Sequence, residues 1–538
     1  MKKPWLPIAS AAAVLALTLG AVALALDEDS QRHAALSMTP PTHRVAGSRA
    51  TQPVSGALTL LPSPPPRGTP VSVSVAPRPA GNAVPAGFLG LSFEVRSLPT
   101  LAGYAGRGDL VALLRSLGAG VMRLGGISAD EQAAWVGPGG SRPGWASVAV
   151  TDGDLAGLAA LARASGWRVL LTVNLAHYDP PAAAQEAAAA QRLLGSHLAG
   201  IEIGNEPNLF VAKHLLPPGW GFGAYVPEVA AYRAAILTAA PGVAIAGPDP
   251  TTGVGGLRWV HAVASSPTLR PALLTDHYYP LSSCGESPTL SELLSPNVRR
   301  AESEMLSKML AIARAHALPL RVDETNNISC EGQPGVSDTF ASALWALDYT
   351  ARAVAAGVTG LNFHDLIAYS RAYSPLFARS PAALAAGALH AAPEWYALLA
   401  AHTLLGDRPG ERPLPTSVAG AASGELSAQA LRAPDRRLEI VLVDYAPPGS
   451  RPLAVRLGVP RDLGGGSVLR LTGPSPAATS GVRLGGRAVA SDGSWTAPAT
   501  LPRVSGRAGA LAVQMPPDSA AIVTLTPGGT VGREALPR

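Results

Sequence analysis

Cysteine is nearly absent from this chain of 538 residues, in which only Cys284 and Cys330 occur. Two thiols are too few to form a metal site by themselves. Charged residues make up 15% of the chain, the net charge is +5, and no long basic run is present. No nucleic-acid-binding motif is found, so the mild positive charge reflects an Ala-, Arg-, Gly- and Pro-rich composition more simply than binding to acidic polymers.

Signatures of several enzyme classes are also missing. No Gly-x-Ser-x-Gly elbow lies between a strand and a helix, so a serine hydrolase of that design is unsupported. The Gly-rich stretch 253–256 lacks the strand–turn–helix context of a phosphate-binding loop. The sequence therefore predicts no metal and no cofactor.

The amino terminus has the pattern of a targeting segment. Lys2 and Lys3 precede an apolar run over residues 8–26, and residues 23–25 (Ala-Leu-Ala) offer a small-residue cleavage site. The run is also about as long as a membrane span requires. Residues 1–26 are therefore predicted to be a signal peptide or an uncleaved membrane anchor. Either one implies a protein that is secreted or held at the outer face of the cytoplasmic membrane.

Composition divides the remaining chain into three parts. Residues 27–70 are polar and Pro-rich without periodicity, which predicts a disordered linker. Residues 71–404 alternate apolar runs with Ala- and Leu-rich helical stretches. Residues 405–538 contain short strands separated by Gly and Pro turns, which predicts an antiparallel β-sandwich. The alternating strand Val71–Val75 could join that sandwich from the other end of the barrel.

Eight short apolar runs in the central part have the character of buried strands. They are Leu89–Phe93, Val121–Leu124, Val169–Val173, Ile201–Gly204, Val243–Ala246, Leu273–Asp276, Leu320–Asp323 and Gly360–Phe363. Helical segments separate them, and eight strands that alternate with helices favour a closed (β/α)8 barrel over a doubly wound sheet. The predicted fold is therefore a (β/α)8 (TIM) barrel with a carboxy-terminal β-sandwich.

Two glutamates follow strands of this predicted barrel. Glu206 comes after the fourth strand and Glu324 after the seventh, and turn residues follow each of them. The carboxyl ends of barrel strands carry the chemistry in this fold. A pair of carboxylates there can act as acid/base and nucleophile on a glycosidic bond. One such carboxylate alone could equally form a structural ion pair.

The sequence around these residues resembles the clan A glycoside hydrolases, which have an Asn-Glu acid/base after strand four and a glutamate nucleophile after strand seven. Asn205-Glu206-Pro207 matches the first of these motifs. Three further segments resemble glycoside hydrolase family 79, which includes β-glucuronidases and heparanase: Gly125–Asp130, Asp276–Tyr279 and Gly332–Tyr349. The resemblance implies that Glu206 is the acid/base and Glu324 the nucleophile of a retaining hydrolase, and that the partner is a carbohydrate.

Two other acidic residues are predicted to be structural. Glu202 should lie in a layer of the barrel core, and Asp323, as the neighbour of Glu324, should point the other way. Arg123, within strand two, should brace strand-end carboxylates.

Polar residues at the other strand ends are candidates for substrate binding. They are Asn205, Tyr278, His277, Glu94, Asp130, Asn174, His364, Tyr369 and Tyr373. Among them, Tyr278 is predicted to donate a hydrogen bond to Glu324 and hold it ionised. For His277 an ordinary place in the core is an equal alternative.

Sugar specificity is the open part of this interpretation. The segment after Glu324 lacks the tyrosine that some glucuronidases have there, and Glu331 would repel a sugar carboxylate if it faced the site. A β-glucuronidase-like activity is expected first. A xylosidase or an endo-acting glycanase is the alternative on the same machinery, and a noncatalytic cell-surface carbohydrate-binding protein is the alternative of another class.

The two cysteines follow adjacent predicted strands. Cys284 comes after the sixth and Cys330 after the seventh, so their loops should meet. In an exported chain an isolated pair usually forms a disulfide, which here would pin the loop behind Glu324. Two buried free thiols are the alternative.

Overall fold

The computed structural model describes residues 67–368, 373–406, 409–507 and 509–527. The predicted targeting segment 1–26 lies outside these ranges, as does the predicted linker 27–70 apart from its last four residues. Of those four, Thr69 and Pro70 belong to the first strand. Tyr369 also lies outside the described residues. Within them, no helix combines the length and apolar character that crossing a membrane requires.

The described ranges contain strands and helices that we number in chain order. The strands are β1 Thr69–Val75, β2 Leu89–Glu94, β3 Val121–Gly125, β4 Ala133–Trp135, β5 Val148–Val150, β6 Arg168–Val173, β7 Leu198–Ile203, β8 Ala246–Gly247, β9 Leu273–Tyr278, β10 Leu281–Ser282, β11 Leu320–Thr325, β12 Ile328–Ser329, β13 Gly360–Asp365, β14 Leu376–Phe377, β15 His390–Ala391, β16 Arg412–Leu414, β17 Thr416–Gly420, β18 Leu426–Arg432, β19 Leu438–Asp444, β20 Leu453–Gly458, β21 Leu463–Thr472, β22 Arg483–Leu484, β23 Ser505–Arg507, β24 Ala510–Met515 and β25 Ser519–Pro527. The helices are α1 Leu98–Ala102, α2 Leu110–Ser116, α3 Ser128–Glu131, α4 Asp152–Ser165, α5 Pro180–Leu194, α6 Phe222–Ala239, α7 Gly256–Ser265, α8 Leu290–Leu293, α9 Pro296–Ala315, α10 Phe340–Ala356, α11 Pro381–Ala386 and α12 Pro393–Leu405.

Eight parallel strands form the predicted barrel, in the order β7-β6-β3-β2-β13-β11-β9-β8. The sheet almost closes between its two ends, where Ile201 of β7 bridges to Ile245 just before β8. The predicted fifth strand is reduced to two residues in β8. The strands are buried on both faces, as in β2 and β13, where all six residues are buried. This burial explains why the sequence shows continuous apolar runs rather than alternation.

Two long helices separate the barrel from the second domain. Helix α10 is buried along nearly its whole length, and its Asp348 accepts a hydrogen bond from Tyr445 at 2.8 Å. Helix α12 follows the eighth strand and is equally buried, although the sequence analysis did not assign it. Both helices lack a polar face because the β-domain covers the side that solvent would otherwise contact.

The β-domain consists of two sheets, as predicted. Their orders are β17-β1-β20-β24-β23 and β16-β18-β19-β25-β21-β22. Strand β1 enters the first sheet antiparallel to β17 and parallel to β20, which is the one parallel pairing among the described strands of this domain. Its alternation places Val71, Val73 and Val75 in the core between the sheets. The predicted fold class, a TIM barrel with a carboxy-terminal β-sandwich, is confirmed.

Candidate active site

Glu206 follows β7 at the carboxyl end of the barrel. Its backbone adopts the left-handed conformation, with φ 49° and ψ 51°, and its amide N–H donates to the carbonyl of Asp249 at 2.8 Å. A glutamate rarely adopts this conformation, and residues held in this way concentrate at functional sites. Pro207 then begins a short 3-10 turn. The Glu206 side chain retains 15% exposure.

Glu324 lies within β11 and is almost fully buried, with 8% exposure. One of its oxygens, Oε2, accepts a hydrogen bond from Arg123 Nη1 at 2.8 Å. The other, Oε1, accepts one from the phenol of Tyr279 at 2.9 Å. The carboxylate is therefore held from two sides by groups that favour its charged form.

Asp323 does not point away from Glu324 as predicted. Val322 pairs with Asp276 and Glu324 pairs with His277, so Asp323 is an extra residue in the ladder between β11 and β9. This β-bulge breaks the alternation of side chains. Both neighbouring carboxylates consequently contact Arg123, with Asp323 Oδ2 3.0 Å from Nε and Glu324 Oε2 2.8 Å from Nη1.

Arg123 is completely buried and braces the carboxylates, in line with the prediction. Its Nε donates to Glu202 at 2.9 Å and its Nη2 donates to Asn205 at 2.9 Å. Burial lowers the pKa of Arg123, but the surrounding carboxylates, Glu202 and Asp323 first, outweigh burial and raise it well above its usual range. Arg123 is thus a permanent cation in direct contact with the Glu324 carboxylate.

His277 lies between the two candidate catalytic glutamates. Its Nδ1 is 3.2 Å from Glu206 Oε1 and 4.0 Å from Glu324 Oε2. Burial and the nearby Arg123 lower the pKa of His277, but the charge of Glu324 and the close carboxylates of Asp323 and Glu206 raise it well above its ordinary value. The ring is therefore protonated at neutral pH and acts as a second cation beside Glu324.

The charge state of Glu324 follows from these neighbours. Burial raises the pKa of its carboxyl group, whereas His364, His277, Arg123 and the phenol of Tyr279 all lower it. The lowering effects dominate, and the pKa of Glu324 falls below its usual range. Glu324 is therefore an anion throughout the neutral and mildly acidic range.

Both glutamates line one cavity of about 790 Å³ at the carboxyl end of the barrel. One carboxylate oxygen of Glu206 and one of Glu324 lie within 4.8 Å of each other. A cavity of this size is large enough for a small ligand. The two side chains that the sequence analysis paired thus meet across a single ligand-sized space.

Six predicted binding residues line this cavity with them. They are Asn205, His277, Tyr278, Glu94, His364 and Tyr373. Glu94 is oriented by the N–H of Ser128, which donates to it at 2.9 Å. Only glycine fits at position 126, because φ is +69° and an added Cβ would lie 2.5 Å from the Glu94 carboxyl carbon. In the Gly125-Gly126 pair noted in the sequence, Gly126 therefore makes room for Glu94 and Gly125 makes room for the guanidinium of Arg123.

The predicted hydrogen bond from Tyr278 to Glu324 is wrong, because the donor is Tyr279. Tyr278 contributes to the cavity wall, and its ring centroid lies 6.4 Å from that of Tyr349 in α10. Burial and then the charge of Glu302 raise the pKa of Tyr278, while Arg352 opposes them. Tyr279 lies two residues after His277 and therefore on the same side of the chain, facing the glutamates.

Asp130 and Asn174 do not line this cavity, contrary to the prediction, and Asn174 instead lines a smaller cavity of about 250 Å³. Asp130 is completely buried and accepts hydrogen bonds from the N–H groups of Leu175, Ala176 and Asn205 at 2.7–3.0 Å. Asn174 donates to the carbonyls of Ala129 and Asp130. Both residues hold the loops at the barrel mouth.

Several residues at or near the site were not predicted from the sequence. Tyr279 was noted only as the last residue of the Asp276–Tyr279 motif. Asp249 was not considered, although its carboxylate lies 3.7 Å from Arg123 Nη2. Arg96 and Lys213 line the cavity as exposed cations. Their position after strands one and four was the available signal.

The predicted disulfide is confirmed, since Cys284 and Cys330 are bonded. Just before them, the two-residue strands β10 and β12 pair in parallel. Both half-cystines line the cavity. The bond therefore joins the two loops that follow β9 and β11.

Two sets of three side chains in the described part of the chain have ligand atoms close enough to share a metal ion. They are Glu206, His277 and Glu324, and Asp249, His277 and Asp323. Both sets include His277, and one carboxylate of each set, Glu324 or Asp323, already contacts the guanidinium of Arg123.

No protein-family model matches the sequence, and no curated protein shows significant sequence similarity to it. Solved structures do match. A 4-O-α-L-rhamnosyl-β-D-glucuronidase from Fusarium oxysporum 12S has a TM-score of 0.67 and 18% identity, and the match covers 84% of this chain and 100% of that one. A GH51 arabinofuranosidase from Xanthomonas axonopodis pv. citri has a TM-score of 0.60 and 16% identity, over 86% and 100%.

A third match is a family 44 xyloglucanase from Paenibacillus polymyxa, with a TM-score of 0.56 and 11% identity over 85% of this chain and 100% of that one. The predicted likeness to glycoside hydrolases is thus confirmed at the level of the fold. The barrel and the β-domain together are shared with proteins that carry different sugar specificities.

Proposed function

We propose that this protein is a retaining glycoside hydrolase with Glu206 as the acid/base and Glu324 as the nucleophile. The observation that carries the proposal is the approach of the two carboxylates to within 4.8 Å across the cavity. Retaining enzymes hold their carboxyl groups about 5–5.5 Å apart, whereas inverting enzymes need about 6.5–9.5 Å to admit a water molecule. An oxygen–oxygen approach within 4.8 Å fits the retaining arrangement and supports direct attack by a carboxylate.

In the first step Glu324 attacks the anomeric carbon and forms a covalent glycosyl-enzyme, while Glu206 donates its proton to the leaving oxygen. In the second step Glu206 takes a proton from water, which attacks the anomeric carbon and releases Glu324. No cofactor is required.

The surroundings suit the two glutamates to different tasks. Glu324 is kept ionised by Arg123, His277 and Tyr279, as a nucleophile must be. Glu206 contacts none of the Arg123 nitrogens and remains partly exposed, which leaves it able to exchange a proton with the leaving group and with water. Proton exchange of this kind is the task of a general acid/base.

A β-glucuronidase-like activity of family 79 remains the first candidate for specificity. The similarity to the Fusarium oxysporum protein supports it, as do the exposed cations Arg96 and Lys213 in the cavity wall. Glu331 also lines the cavity and would repel a sugar carboxylate. This observation favours the second candidate, a hydrolase of a neutral sugar.

The same proposal places the protein outside the cytoplasm. The Cys284–Cys330 disulfide supports export, because such bonds persist in oxidising compartments. The segment 1–26 would direct export as a signal peptide or as an anchor.

The test is a panel of chromogenic glycosides with uronic and neutral sugars. The variant Glu206→Gln should lose about 10²–10⁴-fold in turnover of substrates with poor leaving groups. The variant Glu324→Gln should lose turnover of all substrates. Glu304→Gln, on the exposed face of α9, is the matched control and should hydrolyse normally.

Normal hydrolysis by Glu324→Gln would refute the nucleophile assignment. Absence of turnover by the wild type on the whole panel, with sugar binding retained, would instead indicate a noncatalytic carbohydrate-binding protein.

A further inference from the structure

A second cavity, of about 250 Å³, opens beside the loops that follow β3 and β6. Its walls include Trp135, Trp145, His177, Tyr178 and Glu186. The loops leave the carboxyl ends of parallel strands, so this cavity lies at the same end of the barrel as the glutamate pair. None of these five residues lines the cavity of Glu206 and Glu324. We call it the Trp145 cavity.

Two aromatic side chains of this cavity are unusually exposed. Trp145 is 38% exposed and Tyr178 is 56% exposed, and they are the exposed large apolar side chains of the described chain. Both are held in place. Trp145 stacks on His177, with ring centroids 3.5 Å apart, and Tyr178 meets the edge of Tyr232 at 5.6 Å. Fixed aromatic rings of this kind present a large contact area at a low entropy cost.

A buried carboxyl group also faces the cavity. Glu186, in the second turn of α5, is 5% exposed, and neither an ion pair nor a hydrogen bond from the described residues reaches it. Burial raises the pKa of Glu186 to about 8. The indole Nε1 of Trp135 is likewise buried without a hydrogen-bond partner. Unpaired buried polar groups destabilise a fold, and a bound ligand with hydroxyl groups would satisfy them.

The loop that carries His177 and Tyr178 is tied to the proposed catalytic centre. Asp130 Oδ1 accepts from the N–H groups of Leu175 and Ala176, and its Oδ2 accepts from the N–H of Asn205, next to Glu206. One carboxylate thus fixes both the loop beside the Trp145 cavity and the residue that precedes the acid/base.

We infer that the Trp145 cavity is a second carbohydrate-binding site that takes a neutral sugar residue. The choice of a carbohydrate rests on the proposed function. The apolar face of the sugar ring would pack on Tyr178 and Trp145, and its hydroxyl groups would bond to Glu186. A uronic acid is disfavoured, because no cation lines this cavity to pair with its carboxylate.

The test measures binding of neutral tetrasaccharides (gluco-, xylo-, manno-, galacto- and arabino-oligosaccharides) to the full chain by calorimetry and tryptophan fluorescence. The Glu324→Gln background prevents turnover. At least one tetrasaccharide should bind, and Tyr178→Ala should weaken it about 3–10-fold, the scale of a lost aromatic contact. Tyr178→Phe keeps the ring and should bind normally. Glu186→Gln is expected to weaken binding, whereas the surface variant Glu304→Gln should not.

Failure of every neutral tetrasaccharide to bind would overturn the inference. Binding by Tyr178→Ala and Glu186→Gln that is as tight as binding by the Glu324→Gln parent would also overturn it. So would a preference for a glucuronic acid oligomer that is lost in these two variants.

Hydrolysis of small chromogenic glycosides separates this result from the proposed function. Tyr178→Ala with native Glu324 should hydrolyse them normally. Hydrolysis without Tyr178-dependent binding would reject the second site alone. Tyr178-dependent binding without hydrolysis by the wild type would reject the proposed function and leave the second site standing.

Discussion

The phenol of Tyr279 donates to Glu324 Oε1 at 2.9 Å, on the opposite side of the carboxylate from Arg123. This pair of hydrogen bonds orients the carboxylate within the cavity and favours its charged form. The residue responsible is the neighbour of the tyrosine that the sequence suggested. The distinction between Tyr278 and Tyr279 can be tested directly.

Replacing Tyr279 with phenylalanine should weaken the nucleophile. The Glu324 carboxylate loses a hydrogen bond to a charged group, worth about 1.5–3 kcal/mol. The pKa of Glu324 should therefore rise, and the acidic limb of the kcat/KM profile should move to higher pH. Tyr278→Phe is the matched control, and its profile should stay in place. A shift in Tyr278→Phe without one in Tyr279→Phe would reverse our assignment.

His277 should make a pH-dependent contribution to stability. Its folded-state pKa lies well above the ordinary value of 6.5, because of Glu324, Asp323 and Glu206. The contribution is therefore complete below about pH 6.5 and disappears as the pH rises through the raised pKa. The melting temperatures of the wild type and His277→Gln should differ most in mildly acidic solution and converge at alkaline pH.

The exposed His261→Gln is the control and should match the wild type at every pH. A stability difference between the wild type and His277→Gln that grows with rising pH would contradict a protonated His277.

Removal of Arg123 should be costly. Arg123→Met leaves Glu202, Asp323 and Glu324 buried without their cation, and breaking a buried ion pair typically costs about 3–5 kcal/mol. Urea unfolding measures the loss. Arg192→Met breaks an exposed pair with Asp152 and should cost less than about 1 kcal/mol. Equal losses in the two variants would show that Arg123 does not organise the barrel core.

The disulfide should stabilise the folded chain by restricting the unfolded one. Cys284 and Cys330 are 46 residues apart, and closing a loop of that length is worth about 4 kcal/mol in the chain-entropy model. The double variant with serine at both positions should lose about this much free energy of unfolding. Addition of a reductant should destabilise the wild type and leave the double variant unaffected. Equal stability of the two proteins under oxidising conditions would contradict this expectation.

The barrel was predictable because its strands are buried on both faces. Seven of the eight predicted runs coincide with observed strands, whereas the fifth, Val243–Ala246, shares only Ala246 with β8. Helix α12 was not predicted, and it is apolar and buried on almost every side. Its burial by the second domain is a tertiary effect that no local pattern reports.

The site was less predictable than the fold. Strand ends located Glu206 and Glu324, but the bulge at Asp323 depends on pairing between two strands and has no local signature. The predicted direction of Asp323 was wrong for that reason. Asp130 was misassigned because its three partners are backbone N–H groups of two other loops, which come together only in the folded chain.

The most direct test of the account is to trap the covalent intermediate. The protein is incubated with 2-deoxy-2-fluoro-glycosyl fluorides that match whichever chromogenic glycosides it hydrolyses, and the labelled peptide is identified by mass spectrometry. Our account predicts one glycosyl group per chain, attached to Glu324. Hydrolysis of the matching glycoside with no label, or with the label on another residue, would contradict it.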